Sequence, residues 1–168
     1  MRHILKVFML LMALVIQSTW IKYTEILGVT PNLVLALVVA MGLISEPVEA
    51  GTYGFAAGVL WDLMWGRVFG VNALLFMYIV LLGRALIELM YKKGLFVSVM
   101  ITFFSAILYE ILFFLISFAI WGETGFLYVI LRIIIPSSAY TAAVGIPVFG
   151  LVNLLLLGRG ERGGGYEV

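Results

Sequence analysis

The sequence predicts an all-α polytopic membrane protein built as a six-helix transmembrane bundle, and three observations carry that expectation. The 168 residues are 64% hydrophobic and only 11% charged, with a mean hydropathy of +1.20. Soluble domains lie near about 45–50% apolar and about 25% charged. Apolar runs that cross or nearly cross a bilayer recur along the chain, each bounded by polar, glycine or proline residues. Finally, Trp20, Trp61, Trp65, Tyr91 and Trp121 fall mostly at the ends of those runs, where the membrane–water interface favours them.

The composition also excludes several function classes. A net charge of +1 is too small to suggest a nucleic-acid partner. There is no cysteine and the one histidine is His3, so disulfides, thiol chemistry and zinc or haem sites are not expected. No cofactor is implied.

In chain order, the first run extends from about Ile4 to Trp20 behind the basic residues Arg2, His3 and Lys6. A signal peptide would look similar, but Gln17-Ser18-Thr19-Trp20 is a poor small-residue cleavage site, and a retained helix is expected. The second opens at Thr30-Pro31-Asn32, where Thr30 can cap and Pro31 suits the first helical position, and it ends near Ile44. The third runs from about Glu49 to Trp65. The fourth runs from Val71 to Tyr91, closed by Lys92-Lys93-Gly94. The fifth covers Leu95 to Trp121. Phe126 to Ile135 is short and stops at Pro136, so it is either an interfacial helix or the outer arm of a helix kinked at that proline. Ser137 to Leu157 supplies the sixth span.

Residues 1–157 thus form a single transmembrane domain, and the glycine-rich tail 158–168 is expected to be disordered. Arg2, Lys6, Lys92, Lys93, Arg159 and Arg162 gather on one side of the membrane, against Lys22, Arg67 and Arg132 on the other. The positive-inside rule then places both termini in the cytoplasm. Arg84 and Glu88 stand four apart and can pair with each other.

The third run holds the most informative pattern. Gly54, Gly58, Asp62, Gly66 and Gly70 follow one another at intervals of four, and such positions advance only about 40° around a helix. Small residues on one face let another backbone approach closely, so the stripe is read as a helix-packing or partner surface. An aspartate within the membrane costs roughly 2.5–3.5 kcal/mol. Asp62 must therefore lie near the outer end, be protonated, or be paired. Glu110 and Arg132 fall at the same outer level by residue count, and Asp62, Glu110 and Arg132 are expected to form a polar cluster, with Arg67 as a second partner for Asp62. A catalytic carboxylate pair would need a nucleophile or a ligand set beside it. The sequence offers neither, and no enzyme is expected.

The run Thr30-Pro31-Asn32-Leu33, then Gly54-Phe-Ala-Ala-Gly58-Val-Leu-Trp-Asp62-Leu-Met-Trp-Gly66, then Phe69-Gly70-Val71-Asn72-Ala73-Leu74, resembles the rod shape-determining protein MreD family. Trp61 and Phe69 depart from the family pattern, but the glycine and aspartate positions hold. The resemblance implies a non-enzymatic subunit of the bacterial cell-elongation machinery in the inner membrane. Such a subunit binds the transmembrane helix of MreC and links MreB filaments indirectly to a peptidoglycan synthase pair. It also implies a fold similar to the substrate-binding S-components of vitamin transporters. Pro31 and Asn32 would then open the second helix. Gly54, Gly58, Asp62, Gly66, Gly70 and Asn72 would pack against a helix of this chain, MreC or a second copy. An S-component-like carrier is the alternative, but its docking register on the first helix reads Met9, Ala13, Gln17 rather than a row of alanines.

Overall fold

In the computed structural model, described for residues 2–19, 25, 28–66, 68–90, 94–121 and 130–156, the regular elements are all helical. Six α-helices occur among these residues: α1 (Arg2–Thr19), α2 (Leu33–Ile44), α3 (Pro47–Trp65), α4 (Val71–Leu89), α5 (Leu95–Trp121) and α6 (Ile135–Leu156). A π-type turn, Ile130–Ile134, leads directly into α6. The described part of the short apolar segment is therefore continuous with the last helix. Pro136 lies two residues past that turn, where the wider π-type winding of the preceding residues accommodates a residue with no N–H to donate.

The architecture is organised around α2. All residues from Val34 to Leu43 are buried, as expected of a helix that is apolar on every side. It packs against α1, α3, α4, α5 and α6. Its 12 residues rise only about 18 Å, short of the roughly 30 Å hydrocarbon core. Among the described residues, three helical segments are long and apolar enough to cross a membrane by themselves: Val71–Leu89, Leu95–Ala119 and Arg132–Leu156. The sequence predicts six spans; six helices are present among these residues, and they are unequal. α2 is shielded by its neighbours and needs little length, while α3 trades aliphatic side chains for glycine.

Polar side chains secure both ends of α2. At its start the cap is Asn32 rather than Thr30: its Oδ1 accepts from the Leu35 N–H at 2.9 Å, with Pro31 just before it. The Asn32 N–H donates to Thr141 Oγ1 of α6 at 2.9 Å, and the Leu33 N–H to Gln17 Oε1 of α1 at 2.8 Å. Gln17 Nε2 returns a bond to the Pro31 carbonyl at 3.1 Å. At the far end, Lys6 of α1 donates to Ser45 Oγ at 2.8 Å and pairs with Glu49 at 2.9 Å. Lys6 is thereby buried, not simply one of the charges on its membrane side. Arg84 meets Glu88 at 3.0 Å, the i,i+4 pair expected from the sequence.

Candidate functional site

The glycine stripe of α3 is spent on α4. A Cβ at Gly58 would collide with Asn72 O and Ala73 Cα and lie 2.6 Å from Ala73 N; one at Gly54 would lie 3.0 Å from Met77 Cα and Phe76 O. These are backbone atoms, so the two helices touch main chain to main chain, and only glycine permits that approach. Both glycines are buried in this contact.

One turn further, Asp62 reaches across to the start of α4. Its Oδ2 accepts from the Gly70 N–H at 2.9 Å and the Ala73 N–H at 3.1 Å. Its Oδ1 accepts from the Asn72 N–H at 3.3 Å and from Asn72 Nδ2 at 2.7 Å. Amide groups at a helix start have no intrahelical acceptors and carry the positive end of the dipole. A carboxylate from the preceding helix supplies both the acceptors and the complementary charge. Asp62, 5% exposed, is thus an N-cap delivered across a turn, which answers the cost of burying it.

The remaining glycines make room for this. A Cβ at Gly66 would lie 2.8 Å from Asp62 Oδ1, and the Gly66 N–H bonds the Asp62 carbonyl at 3.0 Å. Gly70, the N-cap residue of α4, has φ +96°, a left-handed conformation that favours glycine. Asn72 extends the lock, because Tyr109 of α5 donates to its Oδ1 at 2.8 Å. Tyr109 also packs edge-on against Phe76, with centroids 5.3 Å apart. Tyr109→Phe removes one buried bond while keeping the ring, and a loss of about 1 kcal/mol in detergent-solubilised stability is expected.

The structure does not join Asp62, Glu110 and Arg132. Glu110 follows Tyr109 on α5 and points about 100° away from it; it accepts from Ser137 Oγ of α6 at 3.0 Å. Ser137 Oγ also lies 3.5 Å from the Thr30 carbonyl. Arg132 is exposed, and no bond to either acid occurs among the described residues. Equal depth did not mean contact, because each acid found donors on the helix it faces. Arg67, the second partner considered for Asp62, lies outside the described residues, as do Lys92, Lys93 and the tail 158–168.

The lock is therefore structural in its chemistry: both oxygens of its one acid are engaged by hydrogen-bond donors. Among the described residues no group of three or more His, Cys, Asp or Glu side chains could hold a metal. Sequence reasoning missed Tyr109 and the partners of Lys6. A tyrosine inside an apolar run is a usable signal, since a buried hydroxyl needs an acceptor.

The family model for the rod shape-determining protein MreD matches residues 1–157. The chain belongs to the MreD family. The match takes in all six helices and the whole α3–α4 lock, so the residues that build the turn lie within the family's own domain. It supports a rod shape-determining membrane protein of structural rather than known enzymatic type. Searches of characterised proteins and of solved structures found no match.

Proposed function

We propose that the chain is a non-enzymatic subunit of the bacterial rod complex, binding the transmembrane helix of MreC and helping to couple MreB filaments to peptidoglycan synthesis. It sits in the inner membrane as a multi-pass bundle with both termini in the cytoplasm. The family match over residues 1–157 carries this reading. The geometry supports it in two ways. Asp62 and Glu110 serve as hydrogen-bond acceptors between helices, a scaffold's use of charge. In addition, Met9 and Ala13, in the register an S-component would use for docking, are buried, and Gln17 is bonded to the start of α2. That face is not free to dock on an energy-coupling module, and this weighs against the carrier reading.

The test is co-expression with MreC, affinity purification in mild detergent, and complementation of a strain depleted of its own rod subunit. Co-purification together with restored rod shape is the expected result. Restored shape without MreC retention would remove the partner from the proposal. Failure of both would remove the proposal itself.

A further inference from the structure

A serine hydroxyl has one hydrogen to give and two lone pairs with which to receive. Two acceptors stand near the buried Oγ of Ser137: Glu110 Oε1 on α5 at 3.0 Å and the Thr30 carbonyl at 3.5 Å. The first is an ordinary bond, and the second lies at the limit of one. An ionised carboxylate can only accept. While Glu110 is charged it therefore claims the hydrogen, and the Thr30 carbonyl goes without it.

The three groups belong to three pieces of the chain. Glu110 is on α5, Ser137 is in the first turn of α6, and Thr30 leads into α2. The residues just after Thr30 are already fastened. The Asn32 N–H donates to Thr141 of α6, and Gln17 of α1 bonds both the Pro31 carbonyl and the Leu33 N–H. Ser137 and Thr141 are four residues apart on one face of α6, so the entry to α2 meets two successive hydroxyls. The Thr141 bond, at 2.9 Å, comes from a backbone N–H and depends on no titratable group. The Thr30 contact is the adjustable one.

Glu110 can adjust it. Asp62 has both oxygens filled by four bonds, whereas the hydrogen-bond donor to Glu110 among the described residues is Ser137. Charged and titratable groups on the elements packed against α5 are Tyr140 on α6, the exposed Arg132 just before it, and Tyr78, Arg84 and Glu88 on α4. Arg84 and Glu88 lie beyond Asn72 by 12 or more residues, about 18 Å along α4. The helical residues of α2 include no such group, and Tyr109, beside Glu110, gives its hydrogen to Asn72.

We infer that Glu110, Ser137 and the Thr30 carbonyl form a proton-operated latch between α5, α6 and the entry to α2. When Glu110 takes up one proton from water, its new O–H donates to Ser137 Oγ. The Ser137 hydrogen is released and turns to the Thr30 carbonyl, and that contact closes from 3.5 Å toward the usual O–H···O distance of about 2.8 Å. One proton is gained and no covalent bond breaks. The α5–α6 link survives with its direction reversed, and loss of the proton reopens the latch. On the proposed topology this end of the bundle faces away from the cytoplasm, so the outer pH works the latch. The latch itself does not depend on that topology.

Thr30 is the one threonine followed by a proline, so isotope labelling of threonine carbonyl carbon and proline nitrogen singles out its carbonyl in the NMR spectrum of the detergent-solubilised protein. Acidification from about pH 8 to about pH 4 spans carboxyl titration. The Thr30 carbonyl signal is expected to move downfield with a single midpoint. The Glu110 side-chain carboxyl carbon, identified by its loss in Glu110→Gln, should titrate at the same midpoint. Glu110→Gln should abolish the movement. Ser137→Ala should keep the Glu110 titration while the Thr30 signal stays still, a split that a merely structural serine does not produce. A Thr30 response that persists in either variant overturns the latch. So does a Glu110 carboxyl that titrates in wild type without moving Thr30, or one that does not titrate at all.

Discussion

Gly58→Ala is expected to cost about 3 kcal/mol or more, the largest effect of any single methyl group added to this protein. The new Cβ would meet Asn72 O, Ala73 Cα and Ala73 N. All three are backbone atoms of α4, so no rotamer change relieves the clash and the helices must separate. Asp62 lies one turn along the same seam, and its bonds to Gly70, Asn72 and Ala73 would lengthen together. Membrane accumulation and thermal unfolding in detergent should both fall. Gly150→Ala gives the contrast: a Cβ there meets nothing within 4 Å. Near-neutral behaviour is expected, with a gain of up to about 1 kcal/mol because alanine suits a helix better. Equal tolerance of the two substitutions would show that α3 and α4 do not touch main chain to main chain.

Asp62→Ala is the second large effect, also expected at about 3 kcal/mol or more. It strips acceptors from three backbone N–H groups and the Asn72 amide at once. Each buried donor left unpaired costs about 1–3 kcal/mol, and the favourable charge at the start of α4 is lost as well. Asp62→Asn keeps one carbonyl acceptor but turns an NH₂ group toward N–H donors, so it should fall between wild type and alanine. Thermal unfolding of the three purified proteins checks the order. Wild-type stability in Asp62→Ala would mean that the cap carries no load.

Much of this was legible in the residues. Helix order and most boundaries follow from apolar runs punctuated by Pro31, Pro47, Gly70 and Gly94. The four-residue spacing from Gly54 to Gly70 announced a close helix contact with an acid in it, and that contact exists. What the spacing could not give was the partner. The acceptor for a given N–H depends on which helix lies alongside, and one residue of register separates Tyr109, which faces Asn72, from Glu110, which faces Ser137. Level in the membrane can be counted from sequence, whereas azimuth around a neighbour cannot. The same limit explains Lys6, whose place near a chain end gave no sign that Ser45 and Glu49 would enclose it. The unequal status of α2 was visible only in part: its 12 apolar residues are short for a span, but its central position emerges from packing.

The central claim is that the glycine–aspartate motif fastens the α3–α4 turn inside this chain instead of meeting a partner. The most direct measurement is the amount of MreC recovered per folded molecule of Asp62→Asn, set beside its thermal stability. The expected result is a lower unfolding temperature with an unchanged MreC ratio. A lost partner at wild-type stability would contradict the claim and return Asp62 to the interface.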